Sequence, residues 1–133
     1  TDTAVRQLVS QCPKLKTLDL CYCRNLGPDF VTFLCSDRRL CPEVKMLGLG
    51  GFRLEDRELF AICEKYGQTL CHLGIGSAHV TDEGLKTLAL LPKLKKLSAH
   101  RLCKVTIEGL IEFCHLAPSL AALDAEDLDL VPE

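Results

Sequence analysis

The chain has 133 residues, 47% of them apolar and 26% charged, with a formal net charge of -2. That length and apolar share predict one domain with a sizeable core, and the near-neutral balance excludes the basic footprint of a nucleic-acid binder and any general attraction to anionic membranes. Apolar runs such as 88–92 fall far short of the roughly 18 to 20 residues that span a bilayer. Nine cysteines would suit a small secreted disulfide scaffold, but the count is odd, leucine is plentiful enough for a core without staples, and no signal peptide opens the sequence. Reduced thiols are therefore expected. The chain reads as soluble and intracellular, in the cytoplasm or nucleus; the mitochondrial matrix stays open, since a removed transit segment leaves no trace.

In chain order, residues 1–11 (TDTAVRQLVSQ) predict the helix half of a repeat. Their Thr-Asp start recurs at Thr81-Asp82, and Val5 and Leu8 share the spacing of Leu85 and Leu88. Leu15, Leu18 and Leu20 then predict a strand. The same offset of three residues, then two, returns in Val44, Leu47 and Leu49, in Leu70, Leu73 and Ile75, in Leu94, Leu97 and Ala99, and in Leu120, Leu123 and Ala125. The first members of these triplets lie 29, 26, 24 and 26 residues apart. An apolar anchor follows each of the first four (Leu26, Leu54, Val80, Val105). After it come the pairs Val31 and Leu34, Leu59 and Ile62, Leu85 and Leu88, and Leu110 and Phe113, whose i, i+3 spacing marks one face of a short helix. Thr81 and Thr106 are N-cap candidates.

A strand-helix unit of this size cannot enclose its own buried side, so neighbours must stack and share a core. Each fully buried Leu or Val contributes about 1.5 to 3 kcal/mol to it. The period predicts an α/β fold: a right-handed leucine-rich-repeat solenoid, a horseshoe segment with parallel strands on the concave face and helices on the convex face. A single leucine-rich-repeat domain over 1–133 is expected, with a partial N-terminal repeat at 1–11, four complete repeats at 12–119, and a final strand and acidic C-terminal cap at 120–133.

Cys23 stands three residues after Leu20, in a slot that turns inward at the corner of such a repeat, while Cys12, Cys35, Cys41, Cys63 and Cys114 fall where helices end or strands are approached. Small apolar packing groups suit both places. Phe52, Ala78 and Leu102 hold the corner slot later in the chain, which predicts corners that turn differently there. The stretches CPKLKTLDLCYCRNL, VTDEGLKTLALLPKLKKL and VTIEGLIEFCHLAPSLAAL resemble the cysteine-containing subtype of leucine-rich repeat, found in the substrate-binding halves of F-box proteins and in mitotic-exit-antagonist proteins. The resemblance covers nearly the whole chain. It implies a non-catalytic protein-protein interaction module, most concretely substrate recognition for an F-box-type ubiquitin ligase, although no stretch here resembles the F-box itself. The alternative is a structural or assembly subunit of a larger complex, such as a mitochondrial one.

No chemistry competes with that reading. A zinc site would have to draw on Cys21 and Cys23 with His100, Cys103 or His115, but the chain has no CxxC pair. His72, His79, His100 and His115 share no motif with a nucleophile, and the glycines of GLGG (48–51) and GIG (74–76) precede no phosphate-binding lysine. No enzyme activity, cofactor or metal is expected.

Alternation along the strands turns Thr17, Asp19 and Cys21 outward, then Met46, Gly48 and Gly50, then His72, Gly74 and Gly76, then Lys96, Ser98 and His100, then Ala122, Asp124 and Glu126. The partner-binding site expected from these rows is Asp19, Gly48, Gly50, His72, Gly74, Gly76, Lys96, Ser98 and His100. Its four glycines either admit a partner's close approach or are tolerated where strands carry little packing duty. Lys16, Lys45 and Lys95 share one place after the first triplet residue, with Lys14 and Lys93 before it, and residues 91–104 hold five basic residues and no acid. An acidic segment of a partner protein along this row, or simply a solvated rim, accounts for them. Neither nucleic acid nor membrane insertion is expected.

Overall fold

The computed structural model describes residues 1–76 and 78–126; the acidic closing stretch expected at 127–133 lies outside them. Its elements run α1 (Asp2–Gln11), β1 (Thr17–Asp19), α2 (Pro28–Ser36), β2 (Met46–Gly50), α3 (Asp56–Tyr66), β3 (His72–Gly76), α4 (Asp82–Ala89), β4 (Lys96–His100), α5 (Ile107–Leu116) and β5 (Ala122–Asp124). The strands form one parallel sheet in the order β1-β2-β3-β4-β5. The chain is thus α/β, with each strand reached from its neighbour through a helical crossover, as parallel pairing requires.

Register follows the leucines. Leu18, Leu47, Leu73, Leu97 and Leu123 pair side by side across the sheet, and Leu49, Ile75 and Ala99 form a second row. From β2 to β4 every member of both rows is buried, and α2, α3, α4 and α5 pack in sequence against one another. The helical pairs Val31 and Leu34, Leu59 and Ile62, and Leu85 and Leu88 close the core from the other side. Leu110 is only half-buried, because among the described residues no helix follows α5.

The corners after the strands differ from expectation. Tyr22, Gly51 and Arg101 stand two residues after Leu20, Leu49 and Ala99, and all three have left-handed φ values (62°, 91° and 55°). The next residue then points inward: Phe52 and Leu102 are buried, and Cys23 packs on the core. These corners therefore turn alike whether cysteine, phenylalanine or leucine fills the slot. Backbone geometry sets the turn, and the inward side chain only plugs it. The equivalent corner residue of the third unit, Ser77, lies outside the described residues.

The starts of α4 and α5 are each secured from the unit before. Asp56, the first residue of α3, accepts hydrogen bonds from the Thr81 backbone N–H (2.8 Å) and hydroxyl, and Asp82, the first residue of α4, does the same for Thr106 (2.9 and 2.6 Å). Thr106 in turn accepts from Gly109 N–H at 3.0 Å and caps α5 as expected. Thr81 occupies the N-cap position, but its side chain makes no bond within its own helix. The carboxylates need space to reach across, and Gly84 and Gly109 leave it: a Cβ at either would overlap the Asp56 or Asp82 carboxyl group. At the opposite end of the helices, the Lys65 ammonium donates to the carbonyls of Leu34, Asp37 and Leu40, which closes the C-terminus of α2 with a cation.

All nine thiols are free. Cys41 is buried and its Sγ donates to the Val9 and Cys12 carbonyls at 3.4 Å each, the packing role expected of it. Cys114 departs from expectation and is exposed. It matches Ala89 in α4, a position covered only where the next helix stacks. Among the described residues no helix is long and apolar enough to cross a membrane.

Candidate functional site

The outward side chains stand in three rows fixed by the sheet register. One runs Thr17, Met46, His72, Lys96, Ala122; the second Asp19, Gly48, Gly74, Ser98, Asp124; the third Gly50, Gly76, His100. Two adjacent strands that carry glycine in the same rows leave a depression between β1 and β4, a trough of about 280 Å³. Eight of the nine residues expected from the sequence line it: Asp19, Gly48, Gly50, His72, Gly74, Lys96, Ser98 and His100. Gly76 does not; a Cβ there would face the Gly50 Cα and the His100 carbonyl. Cys21, Tyr22 and Met46 join the lining in addition to these. Strand alternation already turns Cys21 and Met46 outward, so their signal is legible in the sequence. Tyr22 has none, because its place depends on the left-handed corner.

The glycines are not equivalent. Over β2 the space is filled from within the chain, since a Cβ at Gly48 would overlap the Asp19 carboxylate and lie 3.0 Å from Cys21 Sγ. Asp19 accepts from Cys21 N–H at 3.1 Å, and the Cys21 sulfur accepts from Gly50 N–H at 3.3 Å, so Asp19 is held by its own segment and Cys21 is anchored to β2. Burial pushes the Cys21 thiol above its ordinary pKa, against the smaller opposite pull of the Gly50 N–H. It is thus a neutral group at physiological pH and a weak nucleophile. Over β3 the space stays open: a Cβ at Gly74 would meet nothing nearer than the Gly48 Cα at 3.6 Å, ordinary van der Waals contact.

The β4 side of the trough is polar and uncommitted. Among the described residues the side chains of His72, Lys96, Ser98 and His100 make no hydrogen bond or ion pair with the chain. The lysine row continues this charge along the N-terminal ends of the strands. The Lys16, Lys45 and Lys95 carbonyls each accept two N–H groups from the following strand, which puts the three residues at one register position with exposed side chains. Lys14 and Lys93 are exposed beside them. Among the described residues, no three or more His, Cys, Asp or Glu side chains are grouped to hold a metal ion.

No family model matches the chain, and no curated protein matches it. Among solved structures, that of "Leiomodin-1 Actin-Binding Site 2 (ABS2)" superimposes with a TM-score of 0.69 over 93% of this chain and 78% of that one, at 19% sequence identity. The likeness is one of fold.

Proposed function

We propose that the chain is a leucine-rich-repeat solenoid acting as a non-catalytic protein-binding module, with the outward rows of its sheet as the concave binding face. The observation that carries this reading is the trough. Its glycines leave an opening where a Cβ at Gly74 would fit without collision, and among the described residues its polar wall makes no hydrogen bond or ion pair. The strand-helix period and the single consecutive sheet support the solenoid. The exposed lysine row supports a partner with an acidic segment, steered to this face by charge. Substrate recognition for an F-box-type ubiquitin ligase is the most concrete form of the proposal and rests on the sequence resemblance. The fold neighbour, an actin-binding site by name, adds that a similar architecture serves in binding a protein, actin in that case.

A second reading, a structural subunit of a larger assembly, has one observation in its favour. Ile107 and Ile111 on α5 are about half exposed. They hold the positions by which α4 meets its neighbour through Asp82 and Lys86, the latter 3.6 Å from Glu112 of α5. An apolar face at that place suits a further packed helix.

Affinity capture separates the two. Gly74→Arg is expected to keep the circular dichroism spectrum and melting profile of the parent chain while losing its captured proteins. Ile107→Glu with Ile111→Glu should leave capture intact. Loss of capture only in the α5 double variant would favour the assembly reading and refute the concave site.

A further inference from the structure

We infer that the trough over Gly74 is an anchor pocket for one aromatic side chain of an extended partner segment, with a carboxylate next to that residue or next but one seated on Lys96, His72 and His100. This inference rests on the protein-binding reading above and narrows what the face accepts.

Size sets the first limit. The trough, about 280 Å³, exceeds the roughly 150 Å³ apolar cavity that holds a benzene and falls just below the roughly 300 to 1,000 Å³ of drug-sized ligand sites. One ring with its adjoining backbone fits; a packed secondary-structure element does not. The lining favours a ring over an aliphatic chain. The floor is the bare backbone of the glycine rows, since the side chains of Leu47, Leu73 and Ile75 are buried on the opposite face of the sheet, and a flat ring can lie against it. Met46 and Cys21 bring two sulfurs to the walls, and sulfur beside an aromatic ring is a favourable contact. Tyr22 is 74% exposed at the β1 end and offers its own ring for an edge or offset-stacked arrangement.

Charge sets the orientation. The Lys96 cation lies on β4 with the His72 and His100 rings beside it, while the β1 wall carries the Asp19 carboxylate, so an anion is drawn to one side and repelled from the other. Neighbouring strands stand about 4.8 Å apart, and an extended chain rises about 3.4 Å per residue. A ring centred on Gly74 therefore places a carboxylate over Lys96 when the acid is one or two residues away. A carboxylate suits this wall better than a phosphate, because no arginine lines the trough to grip a phosphate with a bidentate fork and Asp19 faces the site.

The test is selection of a random-peptide display library on the immobilised chain. Enriched peptides are expected to pair Trp, Phe or Tyr with Asp or Glu within two positions. In a synthetic peptide from that set, replacing the ring by Leu should weaken binding by roughly tenfold or more, the loss typical of a buried aromatic anchor. Asp→Asn should weaken it less, and phosphoserine in place of Asp should not strengthen it. Gly74→Leu fills the pocket and should remove the enriched set. Lys96→Glu should keep the ring and switch its neighbour from acidic to basic. Peptides that lack the aromatic-acid pair but still vanish with Gly74→Leu overturn the anchor pocket and leave the binding face standing. Peptides indifferent to both variants overturn both, and a selection that enriches nothing, or a preference for phosphoserine, overturns the pocket.

Discussion

Glycine has opposite uses on the two sides of this molecule. At the helix starts, Gly84 and Gly109 leave gaps that the chain fills itself, because Asp56 and Asp82 reach across them to Thr81 and Thr106. On the open face of the sheet, Gly74 leaves a gap that none of the described residues enters, and Gly48 lies between these cases under the folded-over Asp19 and Cys21 side chains. A missing side chain thus marks either a close internal contact or a vacant surface. Only the neighbours decide which.

The comparison breaks most sharply on the helix side. Gly109→Ala drives a methyl group into the Asp82 carboxyl and should destabilise the chain by about 1 to 3 kcal/mol, the range for an overpacked site. Asp82→Ala removes both bonds to Thr106 and should lower stability by a similar, somewhat smaller amount, about 1 to 2 kcal/mol. Equilibrium urea unfolding measures both, and the two losses should not add in the double variant, since they report one contact. Gly74→Ala should do the reverse. It meets no atom closer than 3.6 Å and reduces the freedom of the unfolded strand, so stability should hold or rise by up to about 0.5 to 1 kcal/mol. Gly48→Ala should fall between, a loss below about 1 kcal/mol that shrinks when Asp19 is also changed to Ala, leaving the contact with Cys21 Sγ.

A pH-dependent effect concerns the thiols. Burial pushes Cys35 and Cys63 up to about 11 from the ordinary 9.0. In the unfolded chain these groups ionise above pH 9, while the folded chain holds their protons until about pH 11. The unfolded state binds fewer protons in that window, so the contribution of these two thiols to stability should fall as pH rises from 9 to 11 and be constant below it. Thiol labelling at about pH 8 should modify the exposed Cys103 and Cys114 first and the buried Cys41, with Cys35 and Cys63, last. A flat alkaline profile would mean that the α2–α3 side is wetter than its packing indicates.

Much of this is legible from the residues because the strand-helix period is written in large apolar side chains. Leu18, Leu47, Leu73 and Leu97 recur at a fixed offset, and their alignment in one row needs only that each unit repeat the last. Alternation then locates eight of the nine candidate site residues in one trough. What the sequence does not announce depends on contacts between units. The Asp56–Thr81 and Asp82–Thr106 pairs join residues 25 and 24 positions apart, and each aspartate looks locally like an ordinary first-turn acid. Tyr22 enters the trough through a left-handed corner that no side-chain pattern signals. Cys114 shares the helix-end placing of covered cysteines, but its cover depends on a neighbour rather than on its own helix.

The most direct test is partner affinity and melting temperature measured on one preparation of Gly74→Leu. The account predicts a melting temperature at or above that of the parent chain together with loss of binding, because the added side chain occupies space the fold does not use. Undiminished binding at an unchanged melting temperature would contradict it.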